Sequence, residues 1–307
     1  MNKLGITIVA GMLFASASAF AQSESPKGLG RAVVTVLPAQ EGDLKVNVSL
    51  KNLKVKINGK DSDATGWTHL TTAASPVEMV LLIDGGARSS LGTQFGEMQS
   101  FIKEMPSESK LTIAYMENGR ATLAGPLTSD SGMVLRELHL PGAPSGSSAS
   151  PYFCLSDLAQ HWPSTNRAAR RVVVMITDGL DPYQHGFDPE DPYVQSAIRD
   201  SVRAGLVVYS MYWHVLGRAD SSAFGANAGQ SLLGMVTAAT GGQSYWQGMG
   251  NPVSFDPFFT DIRRCLRNQY ALNFTAQPGK KPDMATLKLH LDGVKAKVYA
   301  PEQVFVE

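Results

Sequence analysis

The sequence predicts an α/β fold: a doubly wound, mostly parallel six-stranded sheet with helices on both faces, plus a small β element from the two ends of the chain. Three observations predict it. Residues 77–83 and 172–177 are compact apolar runs, each stopping at an Asp-Gly pair, Asp84-Gly85 and Asp178-Gly179. Runs of that kind suit strands buried on both faces of a parallel sheet. Between and after them, apolar residues recur at helical spacing, as at Phe95, Met98, Phe101, Ile102 and Met105. Strands alternating with helices mean parallel pairing, because each parallel strand needs a crossover.

The elements follow in chain order. Lys3 gives a positive start, residues 4–20 are apolar or small, and Ala19-Phe20-Ala21 is a small-x-small site. This is the pattern of a secretory signal peptide over residues 1–21, cleaved after Ala21, which predicts a secreted or periplasmic protein. Residues 22–75 form a β-rich N-terminal segment and linker. Strands are expected at 32–37, 44–50 and 53–57, with a hairpin turn at Asn58-Gly59 and a polar linker over 61–76. Residues 76–268 form the α/β domain. Its strands are expected at 77–83, 111–116, 120–123, 172–177, 206–212 and 244–246, and Asn118-Gly119 makes 120–123 an antiparallel edge. Helices are expected at 91–105, 132–138, 152–162, 193–204, 231–239 and 255–266. Residues 269–307 form a β tail packing with the N-terminal segment, with strands at 270–274, 285–291 and 296–299.

Charge excludes some function classes. Lys plus Arg and Asp plus Glu both number 27. Losing Lys3 with the leader leaves about −1, which gives no electrostatic case for nucleic acid or an anionic membrane. No later stretch is apolar for long enough to span a bilayer. Two cysteines, Cys154 and Cys265, are too few to scaffold a fold. With strand order 3-2-1-4-5-6 and right-handed crossovers, the sheet stands between them, so two buried thiols are expected.

Open α/β sheets bind ligands beyond the carboxyl ends of their strands. Asp84 and Asp178 sit at two such ends. Two carboxylates sharing a site repel unless a cation or donor lies between them, which suggests an oxygen-ligated divalent cation. Met175-Ile176-Thr177-Asp178-Gly179 and Leu81-Leu82-Ile83-Asp84 resemble the metal-site strands of the von Willebrand factor A domain. The edge hairpin at Asn118-Gly119, Gly205 to Tyr209 and Thr240-Gly241-Gly242 occur in that family's order. A bacterial group of such proteins, described from acidobacteria, also carries a signal peptide and flanking β segments. The resemblance implies a Rossmann-like sheet and an Asp-x-Ser-x-Ser site completed by Thr and Asp. Here Gly86 and Arg88 stand at the two serine positions, and Ser150, or Ser148, at the threonine position. The implied metal set is Asp84, Ser150 and Asp178. It is degenerate and expected to hold Mg²⁺ or Mn²⁺ weakly or not at all. Arg88 either pairs with Asp84 or Asp178 in the cation's place or points to solvent.

The acidic, proline-rich loop 180–192 follows Asp178. It reads either as a solvated loop or as a recognition rim anchored by Tyr183, Phe187 and Tyr193. Candidate ligand-binding residues are Arg88, Tyr183, His185 and Tyr193; His185 is the one histidine expected near the strand ends. No zinc spacing, Walker loop or Gly-x-Ser-x-Gly elbow occurs. The expectation is an exported, non-enzymatic binding protein whose partner is an unidentified protein at the carboxyl edge of the sheet, with no resident cofactor beyond a weak cation. The competing classes are an exported metal-dependent hydrolase and a structural envelope component.

Overall fold

The computed structural model describes residues 28–40, 46–87, 89–142, 150–184, 186–214, 222–276 and 282–306. The expected leader, Arg88, Ser148 and His185 lie outside them. Along the chain run β1 (Leu29–Pro38), β2 (Leu53–Ile57), β3 (Lys60–Ser62), β4 (Ala64–His69) and β5 (Val77–Asp84). Then come α1 (Phe95–Lys103), β6 (Lys110–Glu117), β7 (Arg120–Leu123), α2 (Ser131–Arg136), α3 (Pro151–Gln160) and β8 (Arg170–Thr177). They are followed by α4 (Pro192–Ala204), β9 (Leu206–Tyr212), α5 (Ala223–Thr240), β10 (Ser244–Tyr245) and α6 (Asp256–Arg267). The chain closes with β11 (Gln269–Thr275), β12 (Asp283–Leu291), β13 (Ala296–Tyr299) and β14 (Gln303–Val306).

Six strands form one sheet in the order β10-β9-β8-β5-β6-β7. Five are parallel to their neighbours, and β7 returns antiparallel from Asn118-Gly119, where both residues take positive φ. Strand β5 is buried at every position, which is why its sequence is apolar without alternation. On one face α1 and α6 cover it with Met98, Phe101, Phe259 and Ile262. On the other, α3, α4 and α5 contribute Leu155, Ile198 and Leu232. Cys265 belongs to the first of these cores and Cys154 to the second; both are buried and no disulfide joins them.

The fold class expected from the sequence is corrected by the second sheet. It has eight strands, in the order β3-β2-β12-β14-β1-β11-β4 with β13 added on β1, and every pairing in it is antiparallel. It is the larger of the two sheets, so the protein is not a mostly parallel, doubly wound fold carrying a small β element. The sheet curls: near its two edges, the Thr275 N–H donates to the carbonyl of Asp63 at 3.0 Å and the Ser62 hydroxyl donates to that of Thr275. Its concave side holds its own core, with Val34, Val36, Val55, Leu272, Phe274 and Leu287. The supposed linker over 61–76 supplies β4, which is half-buried except at the exposed Thr65 and Thr68. Trp67 stacks on Tyr270 with ring centroids 4.7 Å apart. Polar composition concealed a strand because only part of each side chain is covered.

Strand β1 joins the two halves. Successive side chains point to opposite faces. Ala32, Val34 and Val36 enter the antiparallel core, while Val33 and Leu37 pack on the core under α1 and α6. At the same seam Arg170, the first residue of β8, is 4 % exposed. Its Nε donates to the Ser75 carbonyl at 2.9 Å. Its Nη1 donates to the Leu266 carbonyl at 2.6 Å and to Gln269 Oε1 at 3.0 Å. One guanidinium thus ties the approach to β5, the end of α6 and the start of β11. Burial lowers its pKa to about 10, which leaves it charged at neutral pH.

Burial acts in the opposite direction on the neutral acids of the core. It pushes the Cys265 thiol up to about 12, with the Asp261 carboxylate adding to it, and the Tyr212 hydroxyl to about 12, with Asp178 adding. Folded-state values above the unfolded ones mean that the unfolded chain loses protons first. That stability is present below about pH 9 and is lost as pH rises toward 12. Urea midpoints measured from pH 8 to 11 should therefore fall, and Cys265→Ala with Tyr212→Phe should shallow the fall. An unchanged slope in the double variant would remove these two groups from the cause.

Candidate binding site

The carboxyl ends of the parallel strands are built by aspartates that fold their own loops. Asp84 Oδ1 accepts the Gly86 N–H at 2.9 Å, and Asp178 Oδ1 accepts the Leu180 N–H at 3.0 Å. Asp181 Oδ1 accepts the Tyr183 N–H at 2.8 Å, and Asp191 Oδ1 accepts the Tyr193 N–H at 2.8 Å. In all four the acceptor lies two residues before the donor, the geometry by which Asp sets a turn. All four side chains are buried, with at most 3 % exposed. A charge so deeply buried must be held by donors.

The pairings between loops differ from the sequence expectation. Asp84 Oδ2 accepts a 2.6 Å hydrogen bond from Thr177 Oγ1, so the β8 residue that meets Asp84 through its side chain is the threonine before Asp178. Asp178 lies instead beside the buried Tyr212. Ser150 caps α3, accepting the Tyr152 N–H at 3.3 Å, and donates to Asp181 Oδ2 at 2.9 Å. Among the described residues no group of three or more His, Cys, Asp or Glu side chains is placed to hold a metal ion. Thr177 and Asp181 escaped the sequence reading, since a turn-forming aspartate and a ligand aspartate look alike until the loop is closed. Helix α5 also reaches this edge: a Cβ on Gly229 would stand 2.0 Å from the Asp178 carbonyl oxygen, so only glycine admits the helix there.

Aromatic side chains surround these turns. Tyr183 and Tyr193, both anticipated, come together with ring centroids 5.8 Å apart. Phe153 of α3, which was not anticipated, packs on both at 5.6 and 4.6 Å. Tyr183 is 57 % exposed and Phe187 is 48 % exposed. Phe224 stands against Gly186 and is 66 % exposed. Trp246, Met249 and Val253 are exposed on the loop after β10. Leu140 is exposed against Gly92, in the connection after β5. Among the described residues, seven of the ten exposed large hydrophobic side chains therefore belong to this one edge. The loops that carry them are fastened: Gln230 Nε2 donates to the Gly248 carbonyl at 2.7 Å and Gln94 Nε2 to that of Val253 at 3.2 Å. Glu97 Oε2 accepts the Asp256 N–H at 2.8 Å. An aromatic on a glycine-flanked loop beyond a strand, as at Trp246, is the signal that could have found this rim.

No family model matches the chain, and no curated protein matches it. Solved structures similar in part include two from Bacteroides. One is an aerotolerance-related membrane protein from Bacteroides fragilis, 16 % identical, with a TM-score of 0.44, covering 62 % of this chain and 98 % of that one. The other is the conserved hypothetical protein BatB from Bacteroides thetaiotaomicron, 15 % identical, with a TM-score of 0.45, covering 61 % of this chain and 96 % of that one. The resemblance to the von Willebrand factor A domain, together with its degenerate metal-ion-dependent adhesion site, is withdrawn as an assignment. No family model supports it.

The contact between Asp84 and Thr177 is the joint between β5 and β8 at this edge. Thr177→Val removes the donor and leaves a buried carboxylate oxygen short of one. The expected loss is about 1–3 kcal/mol in urea unfolding, with Thr177→Ser losing less. Equal stability of Thr177→Val and wild type would mean that this bond holds nothing.

Proposed function

We propose that the chain is an exported, non-enzymatic binding protein that takes a protein partner on the carboxyl edge of its parallel sheet. The observation that carries this reading is the gathering of exposed apolar side chains on the loops of that edge. Contiguous exposed apolar surface rimmed by polar residues marks interaction sites. Aromatic anchors such as Tyr183, Phe187 and Trp246 are the residue types that dominate such contacts. The fastened loops add to it, since a partner then meets a surface that needs little ordering.

The aspartates support a binding role over a catalytic one. They are buried, and one oxygen of each accepts an amide of its own loop, so these carboxylates shape the loops that carry the apolar rim. Recognition on this account requires no divalent cation. The leader pattern of residues 1–21 supports export. Among the described residues no helix is long and apolar enough to cross a membrane.

The test is retention of an envelope-fraction protein from the native organism on immobilised wild type, compared with Phe187→Ser/Trp246→Ser. Both side chains are about half exposed, so the fold should survive the change. Wild type should retain a defined partner in EDTA as well as in Mg²⁺, and the double variant should lose at least about tenfold in affinity, or ~1.4 kcal/mol. Undiminished retention by the variant, or retention that requires Mg²⁺, would contradict the proposal.

A further inference from the structure

The opposite end of the parallel sheet holds a second feature of different chemistry. There the first residues of β8 and β9, the last turn of α4, and strands β1 and β14 enclose a cleft of about 850 Å³. Five arginines line it: Arg31, Arg167, Arg170, Arg171 and Arg203. Among the described residues no aspartate or glutamate does. This occurs in a chain whose basic and acidic residues balance at 27 each, so the excess is local.

The five have different duties. Arg170 is the buried tie between the sheets. Arg171 donates to the carbonyls of Ala204 at 3.3 Å and Ser164 at 3.2 Å. Its guanidinium also lies 5.8 Å from the Trp162 ring. Arg203 lies 5.3 Å from the Phe305 ring. Arg31 and Arg167 are exposed at the cleft. Among the described residues none of the five is paired with a carboxylate. Alternation along β1 places Arg31 on the same side as Val33, toward the parallel sheet. Arg31 is opposite Asn273 in the register with β11, and Asn273 also lines the cleft.

Like charges gathered in one concavity repel, and low-dielectric walls strengthen the field they make. An anion relieves that repulsion. The guanidinium fork matches the oxygens of a phosphate or carboxylate in a way an ammonium does not. The volume falls within the range of roughly 300–1,000 Å³ typical of small-molecule sites. We propose that this cleft binds a small, multiply charged oxyanion, phosphate- or carboxylate-bearing, held by Arg31, Arg167 and Arg203 with Asn273 beside them. The site is separate from the apolar edge and does not depend on a partner there.

Calorimetric titration of the full chain with inorganic pyrophosphate, and separately with citrate, at about 0.15 M ionic strength tests this. Saturable one-site binding of at least one probe is expected. Arg31→Gln/Arg167→Gln should weaken it at least tenfold, while Phe187→Ser/Trp246→Ser should leave it unchanged. A preference for pyrophosphate would make the ligand a phosphate compound; a preference for citrate would make it a polycarboxylate. If the double variant fails to unfold cooperatively, the single variant Arg203→Gln carries the same expectation. Absence of saturable binding by both probes, or full affinity in the arginine variants, would overturn the proposal.

Discussion

One buried guanidinium sets the relation of the two sheets. Arg170 leads β8 and sits where three separate stretches of chain converge, and its donors go to oxygens on each of them. A cation buried this deeply is stable only if its hydrogen bonds are met. The approach to β5, the last turn of α6 and the start of β11 must therefore arrive together. The antiparallel sheet is fixed against the parallel one at that point. The cleft of arginines is lined by Arg170 itself and by residues of both sheets. The apolar edge lies at the far end of the same strands.

The parallel sheet was legible in the sequence because its signals are local. An apolar run stopping at Asp-Gly marks a buried strand and its loop, and β9 falls on the expected residues. The antiparallel sheet was not legible in size because its pairings are distant. Residues 29–35 pair with 269–275, and 53–57 with 287–291. Nothing in either segment announces its partner. Strand β14 was missed for the same reason, and β4 because its composition is polar. The first half of α5 was read as loop because it is rich in glycine and alanine. Its glycines are what let the helix close on the Asp178 carbonyl, at Gly229, so tertiary contact overrides their low helix propensity there.

The candidate site was half legible. That Asp84 and Asp178 stand at strand ends was evident from the sequence. What they do there was not, because an aspartate that accepts its own loop's amide and one that waits for a cation have the same neighbours in sequence. Tyr183 and Tyr193 were recoverable as aromatics on a loop beyond a strand. Phe153 comes from a helix thirty residues earlier and joins them only in three dimensions. The five arginines of the cleft lie in β1, in and just before β8, and in α4, and no window along the chain gathers them.

Equilibrium unfolding of Arg170→Met in urea, followed at once by tryptophan fluorescence and far-ultraviolet circular dichroism, tests the seam most directly. Methionine keeps much of the volume and removes every donor. The account predicts a loss of about 3 kcal/mol or more, because several buried oxygens lose their partner together. It also predicts that the two signals, coincident in wild type, separate as the sheets uncouple. A loss below about 1 kcal/mol, with both signals still moving together, would show that the sheets are held by something other than Arg170.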